Sequence, residues 1–151
     1  MPKNEVKIRL VLTPVDQDQT CFKTLQKLDE RRFGCTAPPI KYRPQVQYWW
    51  LAYLNDEPVG FGGIELKGHV AAYICRTGVI KKARNLGIHK KLIRAIQKYA
   101  RKIDIEKITT DVAHWNVISA NNFIKTGFVL FRPRKLWSFK NSLYFIQRIS
   151  R

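Results

Sequence analysis

The chain has 151 residues, the length of one compact domain, and at 45% hydrophobic and 12% aromatic it is too rich in core-forming side chains to be a disordered segment. Its longest apolar run, Tyr48 to Leu54, is far too short to span a bilayer, and its three cysteines, Cys21, Cys35 and Cys75, are spaced neither as a disulfide framework nor as a zinc site. Lys and Arg total 28 against 11 acids, a formal charge of +17, and the excess is clustered: residues 81–102 hold nine basic residues and no acid, and no acid follows Asp111.

Val6 to Leu12 alternates apolar and charged side chains, as a half-buried strand does. Thr13-Pro14 with Asp16 reads as the start of a helix that turns Phe22, Leu25 and Leu28 inward and ends near Phe33-Gly34. The prolines at 38, 39 and 44 keep Thr36 to Val46 from being a regular helix, so it is expected as a loop. Three strands follow, Tyr48–Leu54, Val59–Leu66 and Val70–Ile80, joined by turns at Asn55–Pro58 and Lys67-Gly68 that are short enough for antiparallel hairpins. From Ile88 to Ile103 the apolar period becomes helical, with Ile88, Leu92, Ile93, Ile96, Ala100 and Ile103 on one face. A strand at Lys107–Val112, a helix at Asn116–Thr126 and strands at Phe128–Arg132 and Ser142–Ile149 complete the order β-α-β-β-β-α-β-α-β-β. This is a mixed α/β fold in one domain, 1–151, in which Val70–Ile80, its helix and Lys107–Val112 form a single crossover with parallel strands.

The segment Val79-Ile80-Lys81-Lys82-Ala83-Arg84-Asn85-Leu86-Gly87-Ile88-His89-Lys90 joins a strand to the start of an amphipathic helix. Backbone N–H groups unpaired at a helix N-terminus point at an anion, glycine allows close approach, and Lys81, Lys82, Arg84, Lys90 and Lys91 add positive charge. One glycine makes neither a Walker loop nor the three-glycine dinucleotide fingerprint.

The same segment resembles the acyl-CoA motif of the GNAT superfamily, Val-x-x-x-x-Arg-Gly-x-Gly-Ile-Gly, keeping Val79, Arg84, Gly87 and Ile88 in register. It departs at Asn85 and His89, where small residues are usual. A second stretch, Asn116 to Phe128, is similar to that family's Asn-x-x-Ala-x-x-Leu-Tyr-x-Lys-x-Gly-Phe, with Asn116, Lys125, Gly127 and Phe128 in place, Ser119 for the alanine and Phe123 for the tyrosine. Either stretch alone has a plainer reading: a basic helix as a solvated face, and Gly127 as a helix C-cap. Their joint spacing carries the resemblance.

The resemblance implies a GNAT-type fold: a central, mostly antiparallel sheet with one parallel βαβ crossover at the acyl-CoA site and flanking helices. It further implies an acetyl-CoA-dependent N-acetyltransferase in which the acceptor amine attacks the thioester directly. Acetyl-CoA would be held by Val79, Ile80, Lys81, Arg84, Asn85, Leu86, Gly87, Ile88, His89, Lys90, Asn116 and Ser119, with no metal. The family's usual acid is the tyrosine that Phe123 replaces, so another group serves, the thiolate leaves unassisted, or turnover is poor. Candidates for the general base are Asp111, His114 and Glu65. The acceptor, a small molecule or a protein, would meet Thr36–Val46 and Pro133–Asn141, whose basic and aromatic residues suit an acidic, aromatic or nucleic-acid partner better than a polycation. The alternative function is a basic nucleic-acid-binding protein on the same scaffold. An N-terminus without a basic-then-apolar start leads to the expectation of a cytoplasmic protein with no membrane partner; a C-terminal strand edge would serve a homodimer.

Overall fold

The computed structural model describes residues 5–12, 19–34, 41–43 and 45–149. Along them run β1 (Val6–Leu12), α1 (Gln19–Phe33), β2 (Gln47–Leu54), β3 (Glu57–Lys67), β4 (Ala71–Val79), α2 (Ile88–Lys102), β5 (Lys107–Val112), α3 (Val117–Lys125), β6 (Val129–Leu130) and β7 (Leu143–Arg148), the order expected from the periodicities. The strands form one sheet, β1-β2-β3-β4-β5-β7-β6. Every pair is antiparallel except β4 with β5. The helix start expected at Thr13-Pro14 lies outside the described residues, as do residues 36–40 and 44 of the expected loop.

The first hairpin is tighter than its sequence suggested and the second is wider. Asn55 and Asp56 alone make the β2–β3 turn, at φ 49° and 67°. Two left-handed central residues match the twist of the flanking strands, so Glu57 and Pro58 open β3 instead of completing the turn. Gly68, at φ 75°, leads a turn that extends through Val70, so β4 starts at Ala71. The expected strand Phe128–Arg132 shrinks to Val129–Leu130. Phe128 turns into the core, and although Phe131 still donates its N–H to the Tyr144 carbonyl, Pro133 has none with which to extend the ladder. Helix boundaries move by one residue: Ile103 caps α2, and Asn116 and Thr126 cap α3.

The two faces of the sheet are covered differently. Gly60 and Gly62 of β3 let α2 lie close; a Cβ built on Gly62 would stand 3.3 Å from Ile96 Cδ1. The predicted apolar stripe Ile88, Leu92, Ile93, Ile96 and Ala100 is buried there, each large aliphatic contributing about 1.5–3 kcal/mol. Phe61 faces the other way, onto α1, meeting Phe33 edge-on at 6.3 Å, with Leu25 and Leu28 buried nearby. The third helix, α3, lies on the α2 side, where Phe123 stacks on Phe145 of β7.

The feature that positions the site is the parting of β4 from β5. Gly63 pairs with Arg76 and Ile64 with Ile74, so Cys75 is an extra residue that bulges β4 and turns it. The parallel ladder has only three rungs, Ala71 with Lys107, Ala72 with Ile108 and Tyr73 with Thr109. One more tie, from the Thr110 hydroxyl to the Ile74 carbonyl at 3.1 Å, stands where backbone pairing has ceased. Beyond it the backbone of β4 pairs only with β3, and its other edge parts from β5 to leave an opening, although the Arg76 and Thr77 side chains of this stretch bond to Asp29 of α1 and to His89.

Candidate active site

At the far end of that opening, Lys81–Ala83 form one 3-10 turn, with Ile80 and Ala83 buried as anchors. Arg84, Asn85, Leu86 and Gly87 stand exposed between the turn and α2. Asn85 and Gly87 both take left-handed backbone, φ 67° and 73°. Asparagine tolerates that region and glycine has no penalty there, so both positions fit a loop that turns its backbone outward. Gly87 caps α2 without any side-chain bond, which leaves the first-turn N–H groups of a 15-residue helix to a ligand or water. A Cβ built on Gly87 would meet nothing within 4 Å, so open space lies above the loop.

Burial first, and then the charge of Arg84, push the pKa of Arg32 on α1 downward, so a cation of the loop and one of α1 repel each other. Lys82 is partnered by Glu57 at 2.5 Å. The donor set therefore fits a pyrophosphate: helix N–H groups, positive-φ backbone and a surrounding of Arg and Lys.

His89 follows one residue into α2, and its ring points under the opening. Its Nε2 lies 2.8 Å from Thr77 Oγ1 on β4, its Nδ1 lies 3.0 Å from Asn122 Nδ2 on α3, and its edge meets the Phe123 ring at 5.6 Å. Burial, and secondarily Arg32, lower its pKa to about 4, so the ring is neutral at ordinary pH.

On the opposite face, toward α1, two of the three expected carboxylate or imidazole candidates come together. Glu65 stands opposite Tyr73 in the β3–β4 register, and the Tyr73 hydroxyl donates to Asp111 Oδ1. Asp111 also accepts from Trp137 Nε1 at 3.1 Å and Ser138 Oγ at 2.6 Å, which fastens the β6–β7 connection to β5. Burial raises the Tyr73 pKa, and the Asp111 charge and hydrogen bond add to the rise, so this phenol keeps its proton. Glu65 accepts from Lys67 Nζ at 2.6 Å and Gln47 Nε2 at 3.1 Å, with Arg43 Nη2 at 3.5 Å. Burial pushes its pKa up, but those bonds and the charges of Lys67 and Arg43 outweigh it, and the net shift is downward. Cys75, on the bulge, has its thiol pushed up to about 12 by burial and then by Glu65, which keeps it un-ionised and unreactive.

His114 is exposed on the turn after β5, apart from this cluster. Asn116 uses its side-chain oxygen to cap α3, accepting from the Ser119 N–H at 3.3 Å. Phe123 is buried among Phe128, Phe145 and His89. Reading the residues did not single out Tyr73, Thr77 or Asn122; Asn122 stands where the motif has leucine, and that polar substitution was the available signal. The basic and aromatic C-terminal connection is exposed at Trp137 and Phe139, over a shallow cavity of about 290 Å³ that Leu130, Arg132, Leu136 and Phe139 line. Among the described residues no three His, Cys, Asp or Glu side chains stand together as a metal site, and no helix is long and apolar enough to cross a membrane.

Among solved structures, the ribosomal-protein-S18-alanine N-acetyltransferase of Escherichia coli is similar at 12% identity, covering 97% of this chain and 96% of its own, with a TM-score of 0.78. The PaiA N-acetyltransferase of Thermoplasma acidophilum, solved with coenzyme A, is 13% identical over 96% of this chain and 99% of its own, TM-score 0.72. An acetyltransferase of Streptococcus agalactiae is 16% identical over 95% and 98%, TM-score 0.72. At such identities the likeness is one of fold. No curated protein matches the chain in sequence. The sequence model of the acetyltransferase (GNAT) family matches residues 15–128, three quarters of the chain and both stretches on which the site stands, and the protein belongs to that family.

Proposed function

We propose that the protein is an acetyl-CoA-dependent N-acetyltransferase, with the anion loop and the two carboxylates on opposite sides of the β4–β5 opening. The observation that carries this reading is the uncapped N-terminus of α2, set behind two left-handed residues and ringed by cations, at the end of a strand with one free edge. Acetyl-CoA supplies the acyl group already activated as a thioester. Val79 and Ile80 offer backbone to the arm. Lys81, Arg84, Asn85, Leu86, Gly87, Ile88 and Lys90 form the pyrophosphate wall, to which His89 gives only its backbone N–H, and Asn116 and Ser119 border the opening from α3. The bound coenzyme A of the PaiA enzyme and the acetyl-CoA bound to a streptothricin acetyltransferase candidate from Bacillus anthracis, 24% identical, support the choice of ligand.

The amine comes from the α1 side. There Asp111, reached directly or through the Tyr73 hydroxyl, takes the proton released on attack, while Glu65 balances Lys67 and Arg43 beside it. His114 stands too far out on its turn to be preferred. Phe123 has no proton to give the departing sulfur, which at a thiol pKa of about 8.5 is a fair leaving group unaided. The alternative of a nucleic-acid-binding protein rests on the clustered charge and the basic, aromatic segments, and it gives no reason for Arg84, Gly87 and Asn116 to stand in motif spacing.

The test is calorimetric titration of salt-washed protein with acetyl-CoA, beside Gly87→Trp, followed by a thiol-release assay over a panel of amines. Micromolar binding lost in the variant, with release of free coenzyme A in the presence of one class of amine, supports the reading. Clean protein that binds no acetyl-CoA sinks it.

A further inference from the structure

Three residues from three elements meet under the opening, and the function above uses none of their side-chain bonds. Asn122 Nδ2 is an amide nitrogen and only donates, so His89 Nδ1 accepts and the ring proton sits on Nε2, where it is donated to the Thr77 hydroxyl. The imidazole thus ties the free end of β4 to α3 across the gap, braced edge-on against Phe123. Thr77 belongs to the part of β4 that β5 has left, and Asn122 belongs to α3, which packs against α2 on that side of the sheet.

We propose that Thr77, His89 and Asn122 form a latch that closes the acyl-CoA slot in the free protein, and that cofactor binding requires the imidazole to swing out. This rests on the reading that acetyl-CoA enters between β4 and β5. A binding-competent state that is only partly populated lowers the apparent affinity by that fraction, so the latch taxes binding and its removal relieves the tax. The groups around the ring fix its pH response. Thr77, Asn122 and Phe123 are neutral; Arg32 from α1 repels a charge on it, and Lys81, Lys82, Arg84, Lys90 and Lys91 are the basic residues of the adjoining loop and the first turn of α2. The closed ring is uncharged down to about pH 4. Once released toward solvent and an anionic ligand, it returns toward the ordinary value near 6.5. Between those values the open form holds one more proton, so binding takes up protons and is favoured as pH falls.

Two measurements test this. The first needs no cofactor: ring resonances of the three histidines are followed against pH, with His89→Ala assigning the signal. The latch predicts a midpoint near 4 for His89, moved up toward 6.5 in Asn122→Leu; an ordinary midpoint in the native protein overturns it. The second is calorimetry with acetyl-CoA at pH 6 in two buffers of different ionisation enthalpy. His89→Ala and Asn122→Leu should each bind about tenfold more tightly than native, the scale of one or two ordinary hydrogen bonds lost from the closed state, and the proton uptake of the native protein should be missing from His89→Ala. Weaker binding by His89→Ala would make the ring a ligand contact and overturn the latch. Failure of native and variants alike to bind acetyl-CoA would sink the function, while the ring titration would still decide whether the tie exists.

Discussion

The Tyr73 hydroxyl donates to the Asp111 carboxylate at the last rung before β4 and β5 part, and the Trp137 indole donates to the same oxygen from the β6–β7 connection. One carboxylate therefore holds together two strands and the segment that faces an incoming acceptor. The donors it accepts from, Tyr73, Trp137 and Ser138, are all neutral, so the half-buried carboxylate is a place where an ammonium or a developing positive charge is welcome.

Asp111→Asn separates the electrostatic from the fastening role. The variant keeps one acceptor oxygen for Tyr73 and Trp137 but turns an NH2 toward Ser138 or toward them, at a cost of about 1–3 kcal/mol in stability. Transfer should fall by roughly a hundredfold in kcat with little change in the affinity for acetyl-CoA, in the range of a lost general base. A variant as active as the native protein, with a lowered melting temperature, would leave Asp111 as a fastener alone.

Glu65 gives a contrasting expectation. Its folded pKa is below the ordinary value, so the stability it contributes is present above about pH 4.5 and is lost as pH falls through the folded value. Lys67 and Arg43 are both more than half exposed and can be solvated when it is gone. Glu65→Gln should therefore change the melting temperature at pH 7 by no more than about 1 kcal/mol equivalent, and should flatten the acid limb of the stability curve below pH 4.5. A loss of several kcal/mol at pH 7 would show the cluster to be a buried structural pair.

The order of elements was legible because each rests on local periodicity. The helical stripe from Ile88 to Ala100 and the alternation in Val6–Leu12 are written within a dozen residues, and both took the expected form. The backbone shape of the 81–87 loop was legible for the same reason, since Asn85 and Gly87 stand in it two residues apart. What the residues could not disclose were contacts made at long range. Tyr73 meets Asp111 across 38 positions and His89 meets Asn122 across 33. Each pair depends on how the Cys75 bulge turns β4, and nothing in the residues 74–76 announces a bulge. Of the boundaries that moved, Val70 and Phe128 left their strands for a turn and a core contact, while Glu57 joined β3 because two left-handed residues had already completed the turn.

Gly87→Ala distinguishes backbone strain from ligand contact. At φ 73° an alanine costs about 1–2 kcal/mol, and the open space around the position means no clash is added. The melting temperature should drop by only that much. If the loop holds a pyrophosphate, acetyl-CoA affinity should fall further, by more than tenfold, because the N–H groups beside it lose their approach. A variant that loses stability but retains native affinity would move the anion site off this loop.

Gly127 is held by space as well as by conformation. At φ 101° just past the cap of α3, it leaves room for the Gln147 amide; a Cβ there would stand 2.6 Å from Gln147 Nε2. Gln147 in turn accepts from Gln97 on α2 and, like Gln97, donates to the Thr126 carbonyl, so α2, α3 and β7 share one small polar knot in an otherwise apolar contact. Gly127→Ala adds left-handed strain to the displacement of that amide, and should cost about 2–4 kcal/mol. The effect should appear in thermal unfolding and in faster amide exchange along α3, with the β1–β3 hairpins unaffected at native conditions. Equal acceleration throughout the sheet would mean that α3 does not unfold separately and that the knot supports the whole domain.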